Sequence, residues 1–271
     1  MIKDITIGQY IPGESYVHKL DPRVKIIISL IYIINLFIVN NFTGYIFIII
    51  FTFLSIYISK IHFRYIYKGL KPIFVLILIT ALLNIFMTNG STLIFKWYFI
   101  TVYKEGVILA AFMVLRLVFL IIGTSLLTLT TSPIELTDGI EKLLKPFSKL
   151  GLPAHELAMM MTIALRFIPT LMDETDKIMK AQTARGADFE NGNLVKRAKN
   201  LIPILVPLFI SSFRRADELA MAMEARCYRG GEGRTRMKIL KLTSGDFGAS
   251  IIVLILVVLS ISSRFIKIWK I

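Results

Sequence analysis

The sequence predicts an all-α integral membrane protein of about five transmembrane helices, interrupted by a polar helical domain. Three observations predict it. The chain has 271 residues, of which 55% are hydrophobic, and a mean hydropathy of +0.70, which excludes an ordinary soluble domain. Its apolar residues gather in blocks near the roughly 20 residues that a helix needs to cross a bilayer. A segment of both charge signs, residues 131–241, holds two long runs with apolar residues at three-or-four spacing, the mark of amphipathic helices. The chain therefore divides into residues 1–130, an N-terminal segment with four spans, residues 131–241, one short and two long amphipathic helices, and residues 242–271, the final span.

The N-terminal stretch from Tyr10 to Lys25 is rich in turn formers and polar groups, and should lie along the membrane face before the first span. The spans follow at Val24–Val39, Phe42–Ile58, Leu70–Met87, Gly106–Leu129 and Phe247–Ile261, the first and last being short. Residues 88–105 are expected to form a re-entrant or interfacial piece. Lys19, Arg23 and Lys25 precede the first span, and Lys60, Arg64, Lys68 and Lys71 lie between the second and third, whereas Asn40-Asn41 carries no charge. By the positive-inside rule this puts the N-terminus and residues 131–241 in the cytoplasm. An odd number of spans then carries Arg264, Lys267 and Lys270 outside, against the same rule. Arg116 sits near the middle of the fourth span, where a charge is costly unless paired. It reads equally as a contact within the bundle or as a cation satisfied by carbonyls, Asn35 or Asn84.

After the fourth span, Ser132, Pro133 and Glu135 form a helix-start signal. A short helix should run to Phe147 before Gly151 and Pro153 break it. The first long helix is expected from about His155 to Thr183, kinked at Pro169. A turn at Asn191-Gly192-Asn193 separates it from a second, which has Pro203 and Pro207 near its start and reaches about Cys227, with Gly230-Gly231 and Gly233 ending it.

Each long helix ends in an Ala-x-x-Ala-Arg-small hexapeptide: Ala181-Gln-Thr-Ala184-Arg185-Gly186 and Ala222-Met-Glu-Ala225-Arg226-Cys227. An arginine between small residues can press close to a partner's groove and pair with a carboxylate there. Either arginine alone reads more simply as a solvated charge favoured by the helix dipole. The repeated context favours the partner contact. Seven methionines fall between residues 159 and 223. Methionine suits adaptable binding surfaces, and Met160, Met161, Met172 and Met223 are the candidates for such a platform, with helix packing as the plainer alternative.

The net charge of +14 is explained by topology signals and anionic headgroups rather than nucleic acid. Cys227 is the only cysteine, and His18, His62 and His155 match no ligand spacing, so no metal site is expected. No phosphate loop, nucleophile elbow or carboxylate cluster within the spans is present. The chain is expected not to be an enzyme and to hold no cofactor.

Taken in order, the Pro-Gly-Glu-Ser…His18-Lys-Leu-Asp21-Pro22-Arg23-Val-Lys25 opening, the Thr-Thr-Ser-Pro after the fourth span, Leu165-Arg166-Phe167-Ile168-Pro169-Thr170 and the two tips resemble the transmembrane T component of energy-coupling factor transporters. The resemblance covers nearly the whole chain. It implies a non-catalytic subunit of an ATP-driven vitamin importer in a prokaryotic plasma membrane. It also implies that the two long helices cross on the cytoplasmic side. Ala184, Arg185 and Gly186 would serve one ABC-type ATPase subunit, and Ala225, Arg226 and Cys227 a second. ATP and magnesium would belong to those partners. A separate substrate-binding S component, one or several in exchange, would dock on the membrane side of these helices. Cys227 departs from the family's usual glycine, and a left-handed backbone is less favoured there. The rival readings are a secondary carrier, for which inverted repeats are lacking, and a membrane scaffold independent of ATPases.

Overall fold

A computed structural model describes residues 10–97, 100–187, 189, 193–230 and 240–263. The turn residues Asn191 and Gly192, the Gly231–Gly233 stop and the terminal cations Arg264, Lys267 and Lys270 lie outside these. Among the described residues the chain forms two compact units, 10–139 with 240–263 and 140–230.

The first unit opens with a four-residue helix, α1 (Tyr16–Lys19), within the stretch expected to be turn-rich and polar. The Ser15 hydroxyl caps it by accepting from the His18 N–H. Asp21 then caps α2 (Pro22–Ile38), with Pro22 in its first turn where the missing N–H costs nothing. Helix α3 (Phe42–Ser59) ends at Lys60 in a left-handed conformation, φ 56°. Helices α4 (Phe63–Leu70) and α5 (Phe74–Met87) are joined by a 3-10 turn at Lys71-Pro72-Ile73. Next come α6 (Lys104–Thr130), α7 (Pro133–Leu144), and, returning from the second unit, α10 (Ser244–Ser262), whose Thr243 and Asp246 complete a reciprocal capping box.

Four described stretches are long and apolar enough to cross a membrane: Phe42–Ser59, Phe63–Met87, Lys104–Thr130 and Ser244–Ser262. They correspond to the second to fifth expected spans. The first, α2, has 17 residues, about 25 Å of helix, and needs its polar flanks to reach across. Outward-facing Ile27, Leu30, Ile34, Ile46, Ile50, Phe53, Leu254 and Val258 are all about half exposed, as a lipid-facing surface requires.

Residues 88–105, expected as a re-entrant or interfacial piece, hold a two-stranded antiparallel hairpin, β1 (Leu93–Trp97) with β2 (Ile100–Tyr103). The Glu105 carboxylate ties this hairpin to the start of α6 by accepting from the hydroxyls of Ser91 (2.8 Å) and Thr92 (3.0 Å).

The bundle's core is Tyr32, Leu36, Tyr45, Ile48, Phe112, Phe119 and Leu256, where α2, α3, α6 and α10 converge. Gly123 lets the Tyr32 ring lie against α6; a Cβ there would stand 2.4 Å from a ring carbon. The Tyr32 hydroxyl reaches the Phe119 carbonyl (3.3 Å) and the Thr52 hydroxyl (2.9 Å). Ser260 donates to Asn35 Oδ1 (2.6 Å) and Asn41 to the Ser263 carbonyl (3.2 Å), so polar bonds stitch α10 to α2 and to the turn before α3.

Arg116 is paired by neither expected asparagine. Its Nη2 donates to Asn40 Oδ1 (3.2 Å) and its guanidinium lies 5.4 Å from the Phe37 ring centroid. Asn35 is turned toward Ser260, and Asn84 donates to the Thr80 carbonyl of its own helix. The charge, midway along α6, therefore meets its partners at the α2–α3 turn.

At the other end of the bundle the opening motif folds into a clasp. Lys25, 5% exposed, donates its ammonium protons to the carbonyls of His18 (3.0 Å) and Thr130 (2.9 Å). The Asp21 N–H donates to Asp246 Oδ1 (2.7 Å), Arg23 pairs with the Asp21 carboxylate (2.7 Å), and the Tyr16 hydroxyl donates to the Gly245 carbonyl (2.6 Å). Burial works against ionisation of Asp21, but bonds from Arg23 and the charges of Arg23 and Lys25 outweigh it and hold the carboxyl below its ordinary value. For His18, burial and the Lys25 charge lower the pKa, against a bond to the Ile11 carbonyl that raises it.

Candidate functional site

The second unit consists of the end of α7, a 3-10 segment Lys145–Leu150, and two long helices, α8 (Ala154–Ala184) and α9 (Leu194–Ala225). Gly151, at φ 88°, turns the chain between them. The short amphipathic helix expected to reach Phe147 gives way to the 3-10 form after Leu144, one residue before Pro146. Pro169 lies inside α8, and Pro203 and Pro207 lie inside α9, which begins earlier than its prolines suggest.

Helices α8 and α9 pair antiparallel. Gln182 donates to the Pro203 carbonyl (3.5 Å), Glu174 meets Arg215 (2.9 Å) and Ser211, and the Arg215 guanidinium lies 5.9 Å from the Phe167 ring centroid. Further along, Ile163, Phe167, Leu219 and Met223 face one another around a groove of about 300 Å³. Because the pairing is antiparallel, the two arginine tips fall at opposite ends of it. Arg185 is eleven residues past Glu174 and Arg226 eleven past Arg215, which separates them by roughly 30 Å along the pair at 1.5 Å per residue.

The tips share one backbone form. At the first, the Gly186 N–H donates to the Thr183 carbonyl and the Ala187 N–H to that of Gln182, both at 3.0 Å. At the second, the Cys227 N–H donates to the Glu224 carbonyl (2.8 Å) and the Tyr228 N–H to that of Met223 (3.0 Å). This is the paired bonding of a Schellman helix end. It requires a left-handed residue after the arginine, supplied by Gly186 at φ 88° and by Cys227 at φ 55°. The left-handed form, less favoured for cysteine, is nonetheless adopted at Cys227: the bonds to the two carbonyl acceptors offset a steric cost of about 1–2 kcal/mol. Ala184, Arg185, Gly186, Ala225, Arg226 and Cys227 are all exposed. The cap turns each arginine out of the helix end with no long side chain beside it.

The methionines divide. Met160, Met161 and Met221 are 57%, 43% and 62% exposed. Met172 is half-buried, and Met223 lines the groove between the helices. Alongside them, α9 exposes Leu205, Phe209, Ile210 and Phe213, an apolar surface that the methionine count alone did not single out. Its signal was the run Leu201–Phe213, which holds only two serines and two prolines among apolar residues. The Glu174–Arg215 pair was also missed, since its members lie on different helices and no local pattern joins them.

Residues 13–238 match the model of the CbiQ family, described as cobalt transport protein. The chain is 78% identical over 265 residues to the energy-coupling factor transporter transmembrane protein EcfT of Clostridium kluyveri, covering 97% of this chain and 98% of that protein. It is 60% identical over 265 residues to the protein of that name from Thermosediminibacter oceani (98% and 100% covered) and 51% identical over 259 residues to that of Bacillus subtilis (96% and 98%). With apolar helices enough for a multi-pass membrane protein and a match along nearly its whole length, the chain belongs to the CbiQ family and, within it, to the transmembrane proteins of energy-coupling factor transporters.

Proposed function

We propose that this chain is the coupling subunit of an importer, carrying ATP-driven motion from two ABC-type ATPase subunits to a substrate-binding S component that takes up a vitamin or similar micronutrient. The observation that carries the reading is the repeated helix end: two identically capped arginines at opposite ends of one antiparallel helix pair. Two equal fittings on one rigid strut suit two equal partners. Arg185 and Arg226 each enter a groove of one ATPase subunit and pair with a carboxylate there. ATP and magnesium are bound by those subunits, and this chain supplies the lever.

The exposed methionines and the apolar face of α9 serve as the platform for the S component, and their adaptability lets one platform accept several. The N-terminus and the paired helices lie in the cytoplasm, a reading supported by the lysines and arginines at the α2 and α3–α5 ends. Affinity purification of the tagged chain from its native membrane tests this. Two ATPase subunits per chain and at least one small membrane partner are expected. Recovery of the chain without ATPases, with uptake unimpaired by depletion of ATP, leaves the carrier or scaffold reading in its place.

A further inference from the structure

We infer that the membrane bundle holds a tightly bound anionic phospholipid, with one acyl chain in a cavity at the lysine-rich end of the bundle. The cavity, about 150 Å³ and open on one side, lies between α2, α3, α6 and α10, with α1 at its rim. Ile28, Leu54, Ile58, Leu127 and Ile252 supply much of its wall, and Tyr16 stands at the rim. The lining residues belong to the first three turns of α2, the final turns of α3 and α6 and the early turns of α10. That places the cavity near the ends of the helices, at the depth where headgroups give way to acyl chains.

The chemistry of the wall selects the occupant. Apart from the Ser55 hydroxyl, the polar groups that reach it are already bonded within the protein. Ser29 donates to the Ile26 carbonyl, Thr52 to that of Ile48 and Thr130 to that of Leu126; the Tyr32 hydroxyl is shared with Thr52 and Phe119, and Lys25 donates to two carbonyls. One serine hydroxyl does not make a sugar or phosphate site. An apolar cavity takes an apolar guest, and in a bilayer the guest at hand is an acyl chain.

The rim sets the headgroup. Lys19 on α1 and Lys60 at the end of α3 are exposed, one residue before lining residue Leu20 and two past lining residue Ile58. Arg23 is taken by Asp21, and Lys25 is buried facing Asp21, Glu135 and Asp246. Against one exposed carboxylate nearby in sequence, Glu14, the two lysines leave the rim positive. A phosphatidylglycerol-like lipid satisfies both parts, and the assignment stands independently of the coupling reading.

The test is native mass spectrometry of the full chain taken from nanodiscs containing equal phosphatidylglycerol and phosphatidylcholine. One retained phospholipid per chain is expected, predominantly phosphatidylglycerol. Ser55→Phe and Ala249→Leu fill the cavity from opposite sides and should each remove the retained lipid while the protein still melts cooperatively. Lys19→Gln and Lys60→Gln should each lower the phosphatidylglycerol preference about fivefold while a lipid is still retained. No retained lipid in the wild type, or equal retention in a folded filled variant, overturns the inference. If both filled variants fail to fold, the lysine variants decide, and an unchanged headgroup preference overturns it.

Discussion

Glu174 and Arg215 form a 2.9 Å ion pair that lies midway between the two arginine tips, each residue eleven positions before the arginine that ends its own helix. If the pair of helices acts as the proposed strut, this contact is where a force applied at either tip would turn it, and its stiffness would decide how much of that motion is passed on.

Loosening the contact should therefore uncouple before it unfolds. Glu174→Ala leaves the Arg215 guanidinium, half-buried against Phe167, without its counter-charge. The cost is about 1–3 kcal/mol in the second unit. Uptake per ATP hydrolysed in proteoliposomes should fall while complex assembly persists. An unchanged ratio assigns the pair to local stability alone.

The tips themselves carry a sharper expectation. Arg185→Glu or Arg226→Glu should each abolish ATP-driven uptake, and the double change should release the ATPases. Leaving an interface charge unpaired typically costs about 2–5 kcal/mol. Normal transport by both single variants would reduce these arginines to surface charges.

Backbone strain at the second tip makes a directional prediction. Cys227→Gly should stabilise the end of α9 by about 1 kcal/mol, and Gly186→Ala should destabilise the end of α8 by about 1–2 kcal/mol, since only the left-handed backbone distinguishes them. A Cβ at Gly186 meets nothing within 4 Å, so no clash confuses the result. Hydrogen exchange at Gly186 and Ala187, and at residue 227 and Tyr228, reads it directly.

The clasp around α1 should respond to acid. His18 Nε2 donates to the Ile11 carbonyl (3.1 Å), and Nδ1 lies 2.6 Å from the Ser15 hydroxyl, which can donate to it when the ring is neutral. Its folded pKa lies below the ordinary 6.5, so the unfolded chain binds the proton more readily. The stabilisation is present above pH 6.5 and is lost as the pH falls from there through the lower folded value. Asp21, also lowered, adds a second loss beginning only below its ordinary 3.8. Melting temperature in detergent should drop below pH 6.5 in the wild type and much less in His18→Gln.

Replacing Met160, Met161, Met172 and Met223 with leucine preserves volume, at less than about 1.5 kcal/mol per site. If these residues serve partner exchange, some S components should lose affinity while others keep it. Co-purification with several S components measures this. Equal change for every partner, or none, marks the methionines as packing.

Much of the fold was legible because its signals are local. The apolar blocks, the 3.6-residue periodicity and the Gly151–Pro153 break located α8 within one residue at each end, Ala154–Ala184 against an expected His155–Thr183. The hairpin at 93–103 was not, because a short apolar run in a membrane protein carries no mark separating strand from interfacial helix. Long-range pairings stayed hidden as well. Lys25 and Arg116 read as a topology charge and an intramembrane charge, and only the fold supplied Thr130 and Asn40 as their acceptors. The tips were visible as repeated hexapeptides, but their shared left-handed cap was not, since cysteine at Cys227 argued locally against it.

The bond from Asp21 to Asp246 joins positions 225 residues apart, and it sets an order of events during synthesis. Helices α2, α3 and α6 leave the ribosome early, yet α10 brings Asp246, Ser260 and Leu256, the groups that close their shared interior. The whole α8–α9 pair must be made first. Until then Asn35 awaits the hydroxyl that donates to it and Asn41 the carbonyl that accepts from it, and the young bundle is a half-built enclosure open to lipid. The entropic penalty of so long a closure grows only logarithmically with the length of the insert. A nascent chain can therefore lengthen its lever without losing the lock, while any delay in the final helix exposes the seam it is meant to seal.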